Sequence, residues 1–373
     1  MKKVSAVITA RASYSRIKSV LIELNKSDDL ILEIVIMASA LVDKYGSIIN
    51  YLENDGLNIS YKIFSLVNTQ DSSFQSKTTG LGIIELSNYF SNFRPHIVIT
   101  IADRFETIST AISASYMNIP LIHFQGGEDS GNIDNKVRNA ITHLSDYHFV
   151  SNEKALERLI SMGISESKVF NFGCPSIDII DKALEQKISS SIFERYSWSG
   201  KKIDLEKSYI VVLQHAVTDE PDTAHQIQQT INAIKKFNNQ VIWFWPNIDY
   251  GTDKISKVLR VFSNNNSELP ICFIKSLGPN DFLRLISKCS VLIGNSSVGI
   301  RESSYIGVPV VNIGTRQKNR TRAENVLDVN YDSKEILEAI STQFQKKLEK
   351  STIYGKGNAA ALISKKIETI IGC

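Results

Sequence analysis

The stretch Pro120–Arg138, PLIHFQGGEDSGNIDNKVR, decides the fold. Pro120–Phe124 is a short apolar run that reads as a buried strand. Gly126-Gly127 turns the chain, Glu128 and Asp129 follow, and a second turn comes at Gly131. Beyond it, Ile133, Val137, Ala140, Ile141 and Leu144 form the i, i+4, i+7, i+8, i+11 stripe of a packed helix over Ile133–Ser145. A loop rich in carboxylates and glycine, between a buried strand and an amphipathic helix, is where an α/β protein keeps its chemistry.

The same rhythm runs outward in both directions. Strands are expected at Val4–Thr9, Leu32–Met37, Ile97–Ile101, Tyr147–Val150 and Val169–Phe172, and then at Tyr209–Gln214, Gln240–Trp245, Ile271–Lys275, Val291–Ile293 and Val308–Ile313. Most are continuous Val/Ile runs, as strands covered on both faces must be. The intervals between them fit crossover helices, so the fold class is α/β, with two Rossmann-like, doubly wound parallel sheets. The rhythm breaks at Cys174–Lys207, where Pro175, a helical Ser176–Gln186 and a Ser/Lys-rich stretch suggest the connection between domains. The expected division is 1–174, 175–357 and a C-terminal amphipathic helix within 358–373 that would pack back on the N-terminal domain.

The chain has 373 residues, room for roughly two domains. Its formal charge of +3 is too small to imply nucleic acid or an anionic membrane as partner. No apolar run approaches the ~20 residues that span a bilayer. Met1-Lys2-Lys3 before an apolar run mimics a signal peptide, but Arg11 cuts that run short and a first strand is the expectation. Cys174, Cys272, Cys289 and Cys373 lack metal-ligand spacing and read as reduced thiols in a cytoplasmic protein. Neither metal nor cofactor is expected.

Candidate site residues lie where strands end. Gly294-Asn295-Ser296-Ser297 follows the strand Val291–Ile293 and should open a helix running to Tyr305, with Glu302 on it. Hydroxyls, N–H groups and the helix dipole there suit an anion; the plain alternative is an N-cap serine. Gly314-Thr315-Arg316 adds a cation at a neighbouring strand end. Arg11, Ser13 and Ser15 follow the first strand without a G-x-G-x-x-G pattern, which speaks against a dinucleotide. Asp103 and Arg104 follow Ile97–Ile101, either as an acid beside an anion clamp or as a salt bridge. Asp134 and Arg138 stand at i, i+4 directly after the acidic loop. His215 starts a strand-end loop, whereas His96, His143, His148 and His225 read as structural. Asn247 lies in the loop Pro246–Asp249 that closes another strand, after Trp243 and Trp245, which read as core.

Taken together, ADRFE at Ala102–Glu106, QGGEDSGNID at Gln125–Asp134, GCPSID at Gly173–Asp178, GNSSVGIRE at Gly294–Glu302 and GTRQ at Gly314–Gln317 resemble the hydrolysing UDP-N-acetylglucosamine 2-epimerases of bacterial sialic acid biosynthesis. The motifs stand in order over nearly the whole chain. The resemblance implies the GT-B architecture, two Rossmann-like domains facing a cleft, with UDP held by the second and the sugar by the first. It implies that Ser296 and Ser297 bind the diphosphate and Glu302 the ribose, that Arg11 and Ser15 reach the phosphates, and that Arg316 and Asn247 lie by the nucleotide. His215 would stand by the phosphate or sugar, and Asp103, Glu128, Asp134 and Arg138 would line the sugar site with Arg104 beside them. The chain departs from the family at Ser13, where many relatives carry an acid, and at Gln125, where some carry Glu; an amide cannot be a base.

The implied reaction converts UDP-GlcNAc and water to ManNAc and UDP, for sialic acid and bacterial surface polysaccharide. A carboxylate takes the weakly acidic C2 proton as UDP leaves, arginines stabilise the diphosphate, and water adds to a glycal-like intermediate. Opposite-face proton transfer needs two acid/base groups, and Asp103, Glu128 and Asp134 can supply them. The family also implies a homodimer or tetramer. Related readings are a modified substrate such as a UDP-diacetamido-trideoxyhexose, a non-hydrolysing epimerase, a GT-B glycosyltransferase that needs an acceptor, and a UDP-sugar-binding regulator without activity.

Overall fold

The computed structural model describes residues 1–43, 47–67, 73–101, 103–130, 133–217, 220, 222–246 and 251–372, with the side chain of Ile133 excepted. The chain divides into two units: Met1–Glu128 with Asp134–Ile179 and Tyr354–Cys373, and Asp129–Ile133 with Ile180–Ile353.

The first unit is built on β1 (Lys2–Ile8), β2 (Leu30–Met37), β3 (Ile59–Ile63), β4 (Ile97–Ile101), β5 (Leu121–Phe124), β6 (Tyr147–Val150) and β7 (Val169–Asn171). They form one sheet in the order β3-β2-β1-β4-β5-β6-β7, every pairing parallel. All five residues of β4 and all four of β5 are buried, as the unbroken apolar runs require. One face is covered by Tyr14, Ile17, Leu21 and Leu24 of the helix Arg11–Leu24 together with Ala359, Ala360, Ile363 and Ile367 of the last helix, Ala359–Ile371. Asp178 fixes the start of that helix: its carboxylate accepts from the N–H groups of Ala359 (3.0 Å) and Ala360 (2.6 Å). The other face is covered by the helices Phe74–Phe93 and Ile108–Tyr116.

The second unit carries β8 (Trp198–Gly200), β9 (Tyr209–Leu213), β10 (Gln240–Phe244), β11 (Ile271–Ile274), β12 (Val291–Gly294), β13 (Val310–Ile313) and β14 (Val326–Val329). The order is β14-β13-β12-β9-β10-β11-β8, parallel except for the antiparallel edge β8. Without β8, the first to sixth strands of this unit run 6-5-4-1-2-3, the same winding as β1–β6 in the first unit. Both sheets are therefore doubly wound, and each reverses between its first and fourth strand, β1/β4 and β9/β12. Ligands of open α/β sheets bind outside the strand ends at such a reversal.

Two local expectations are corrected. Within Ser176–Gln186 only Ile180–Leu184 is helical, after a run of turns. The helix expected from the serines to Tyr305 is two short pieces, Ser297–Ile300 and Glu302–Ile306, which meet at Arg301.

Candidate active site

In the first unit the loops after β1 and β4 are tied by a hydrogen bond between the hydroxyls of Thr9 and Thr107, 3.1 Å. Asp103 and Arg104 leave β4 here. Glu128 leaves β5, next in the sheet, and Arg138 reaches back from the helix Ile133–Leu144. Arg138 is 1% exposed. Its Nη2 donates to Asp103 Oδ2, and its Nη1 donates to the Glu128 carbonyl at 2.6 Å and to Asn135 Oδ1 at 3.0 Å. Burial alone would lower the Arg138 pKa, but the charges of Asp103, Glu128 and Asp134 outweigh it and hold it raised. Arg16 approaches Asp103 at 4.0 Å. The Glu128 carboxylate accepts from Ser151 Oγ at 2.6 Å. One buried cation thus faces three carboxylates at the strand ends, a cluster of acid/base groups around a single guanidinium.

Gly127 makes the loop possible: at φ 77° a Cβ would lie 2.3 Å from the Ala155 carbonyl oxygen. Gln125 is left-handed too, at φ 63°, and its Nε2 donates to Cys174 Sγ at 3.2 Å. It fastens the loop, while the carboxylates stand further on.

Other first-unit candidates are placed as follows. Arg11 opens the helix Arg11–Leu24, half-buried, and burial lowers its pKa. The hydroxyl of Ser15 turns back to the Arg11 carbonyl at 3.3 Å. Arg104 donates its Nε to Glu106 Oε1 at 2.9 Å, and Glu106, fully buried, also accepts from Ser39 Oγ at 3.2 Å.

In the second unit β12 ends on Gly294, where an added Cβ would lie 2.1 Å from the Leu213 carbonyl oxygen of β9. The neighbouring strand ends meet closely, and Asn295, at the next position, hydrogen-bonds both backbone groups of His215. Ser296 caps the short helix after it, and Ser297 Oγ accepts from Arg301 Nη2 at 2.9 Å; Arg301 is 1% exposed. Arg316 donates to the Asn295 carbonyl at 3.4 Å. Glu302 is 7% exposed, and its Oε2 has no hydrogen-bond partner among the described residues. A buried carboxylate oxygen left open costs folding energy and suits a ligand's hydroxyl. Asn247 lies outside the described residues.

Residues 22–368 match the family described as UDP-N-acetylglucosamine 2-epimerase. The chain belongs to this family. Among the epimerase's relatives, the UDP-N,N'-diacetylbacillosamine 2-epimerase (hydrolyzing) of Legionella pneumophila is 33% identical over 99% of the chain and 96% of the relative. A polysialic acid biosynthesis protein of Escherichia coli is 30% identical over 96% of the chain and 92% of that protein. Among solved structures, the Methanocaldococcus jannaschii UDP-GlcNAc 2-epimerase in complex with UDP-GlcNAc and UDP is similar with a TM-score of 0.81, at 18% identity, over 98% of this chain and 99% of that one. At that identity the structural likeness speaks for the fold alone.

The epimerase thus brings Asp103, Glu128, Asp134 and Arg138 into one cluster, and His215, Ser296, Ser297, Arg316 and Glu302 onto neighbouring strand ends of the other unit. Sequence reasoning passed over Glu106, Ser151, Asn295 and Arg301 as contributors. Glu106, Asn295 and Arg301 lie inside the quoted motifs, so their position was visible; their partners were not.

Proposed function

We propose that the epimerase hydrolyses its UDP-sugar, releasing UDP and the free 2-epimer of a 2-acetamido sugar, and that it does so in the cytoplasm. The observation that carries this reading is the buried Arg138 with Asp103, Glu128 and Asp134 around it. Strand-end residues of the second unit hold the nucleotide: Ser296, Ser297, His215 and Arg316 the diphosphate, Glu302 the ribose. Those of the first unit act on the sugar, with Arg104 beside them, while Arg11 and Ser15 reach the phosphates.

A carboxylate, Asp103 or Glu128, takes the C2 proton. The C2–H electron pair becomes the C1=C2 bond, and the C1–O pair departs with UDP, whose charge the arginines and hydroxyls stabilise. Water then bonds its oxygen to C1, C2 receives a proton on the opposite face from a second, protonated acid of the cluster, and the proton lost by the water restores that acid. Arg138 stabilises whichever carboxylate of the cluster carries the charge at each step.

We put a UDP-diacetamido-trideoxyhexose first as substrate, on the strength of the 33% likeness to the Legionella enzyme. UDP-GlcNAc, giving ManNAc for sialic acid, is the second reading, favoured by the 30% likeness to the polysialic acid protein. Steady-state release of UDP from each decides between them: kcat/KM at least ~10-fold higher for the diacetamido sugar is expected. The reverse preference selects UDP-GlcNAc, and release of UDP from neither overturns the proposal.

A further inference from the structure

The carboxamide of Asn295 is fully buried beside the Tyr331 hydroxyl, and each of its ends bonds the backbone of one residue. Its Oδ1 accepts from the His215 N–H at 2.8 Å, and its Nδ2 donates to the His215 carbonyl at 2.9 Å. The Asn295 backbone makes separate bonds. Its N–H donates to the Leu213 carbonyl at 3.0 Å, and its carbonyl accepts from Gln317 Nε2 at 2.9 Å and Arg316 Nη1 at 3.4 Å. One residue therefore joins the loops that leave β9, β12 and β13.

We infer that Asn295 is a positioning residue, whose side chain fixes the His215 backbone so that the imidazole is in place before the nucleotide arrives. The inference rests on the reading above, in which His215 meets the UDP moiety. A donor and an acceptor at the same distance from the main chain are needed to satisfy an N–H and a C=O of one residue, and only a carboxamide provides both. Aspartate would set a second acceptor against the His215 carbonyl. Serine could serve one of the two groups but not both. Glutamine would force an extra methylene into a site with no exposure. Fixing the loop beforehand spares the ordering cost at the moment of binding.

The test is UDP affinity, measured by calorimetry on the full chain, with thermal melting to confirm that each variant is folded. Asn295→Asp is expected to raise the UDP Kd about 10-fold or more, and Asn295→Ser, the milder change, by a smaller factor in the same direction. The backbone bonds to Gln317 and Arg316 survive both substitutions, so the loss reads the side chain. A role in stability alone would lower the melting temperature and leave Kd unchanged. Repeating Asn295→Asp in a His215→Ala background completes a cycle. If Asn295 acts through the imidazole, its effect shrinks there to under ~3-fold. The inference is overturned if both variants bind UDP like the parent chain, or if Asn295→Asp costs the same factor with and without the imidazole. A parent chain that does not bind UDP would remove the functional reading itself, and this inference with it.

Discussion

Arg138 and Asp103, 35 residues apart in sequence, form a buried ion pair at the strand ends of the first unit. The pair is not sealed: Asp103 remains 7% exposed while Arg138 is 1% exposed. A carboxylate on the open side of a buried guanidinium is fixed in place and can still reach a molecule from solvent. Position and access together suit a proton-transfer group.

Asp103→Asn keeps the shape and a hydrogen-bonding group but removes the charge. Turnover is expected to fall by roughly 10²-fold or more, the usual worth of a placed acid or base, while UDP affinity stays near the parent value. Single-turnover kinetics with calorimetry for UDP would show it, and near-normal turnover would clear Asp103 of proton transfer.

Glu302 presents the opposite balance, a buried oxygen with no partner among the described residues. Glu302→Gln removes a charge that the unliganded protein does not use, so the melting temperature of the unliganded chain should hold or rise. UDP affinity should fall roughly 10- to 100-fold, the cost of charged hydrogen bonds to a ribose. Gain of stability with loss of binding marks a residue kept for its ligand. Unaltered UDP affinity would remove Glu302 from the ribose site.

The fold was legible because parallel strands buried on both faces, such as Ile97–Ile101 and Tyr209–Leu213, leave unbroken apolar runs. The strands that escaped reading are β3, β8 and β14. Their patterns leave most positions open to solvent, and Trp198–Gly200 is exposed throughout. The doubly wound order places Arg11, Asp103, His215 and Ser296 at the reversals β1/β4 and β9/β12, a position set by sheet topology that strand-end spacing alone already suggests. Direction within those loops was not legible. Spacing treats Ser13 and Ser15 alike, yet Ser15 bonds back to its own helix, and His215, which the Asn295 side chain bonds, lies 80 residues away in sequence. Such hydrogen bonds depend on backbone geometry that no periodicity encodes.

Asp178, in the motif Gly173–Asp178, makes its bonds as a helix cap. Asp178→Ala should destabilise the protein by about 1–2 kcal/mol through loss of two N–H partners on the last helix. Hydrogen exchange would localise the effect, with protection lost first in Ala359–Ile371. Equal protection in the variant would show that the cap is dispensable.

His148, on β6, is held well below the ordinary histidine value, at about 4, by burial first and by the charge of His143 second. The unfolded chain takes up this proton near the ordinary histidine value of 6.5, and the folded chain refuses it until about 4. Stability from this group is therefore complete above about pH 6.5 and is lost as pH falls toward 4, by up to roughly 3 kcal/mol. Urea denaturation over that range should show a shallower pH slope for His148→Leu than for the parent chain. Parallel slopes would exclude His148 as the titrating group.

The central claim is that the C2 proton is exchanged while UDP is expelled to water. The direct measurement is incubation with each candidate UDP-sugar in deuterated water, followed by NMR of the products. The account predicts free UDP and a free 2-epimer carrying deuterium at C2. A UDP-linked epimer, or a free sugar that keeps its original C2 hydrogen, would contradict it.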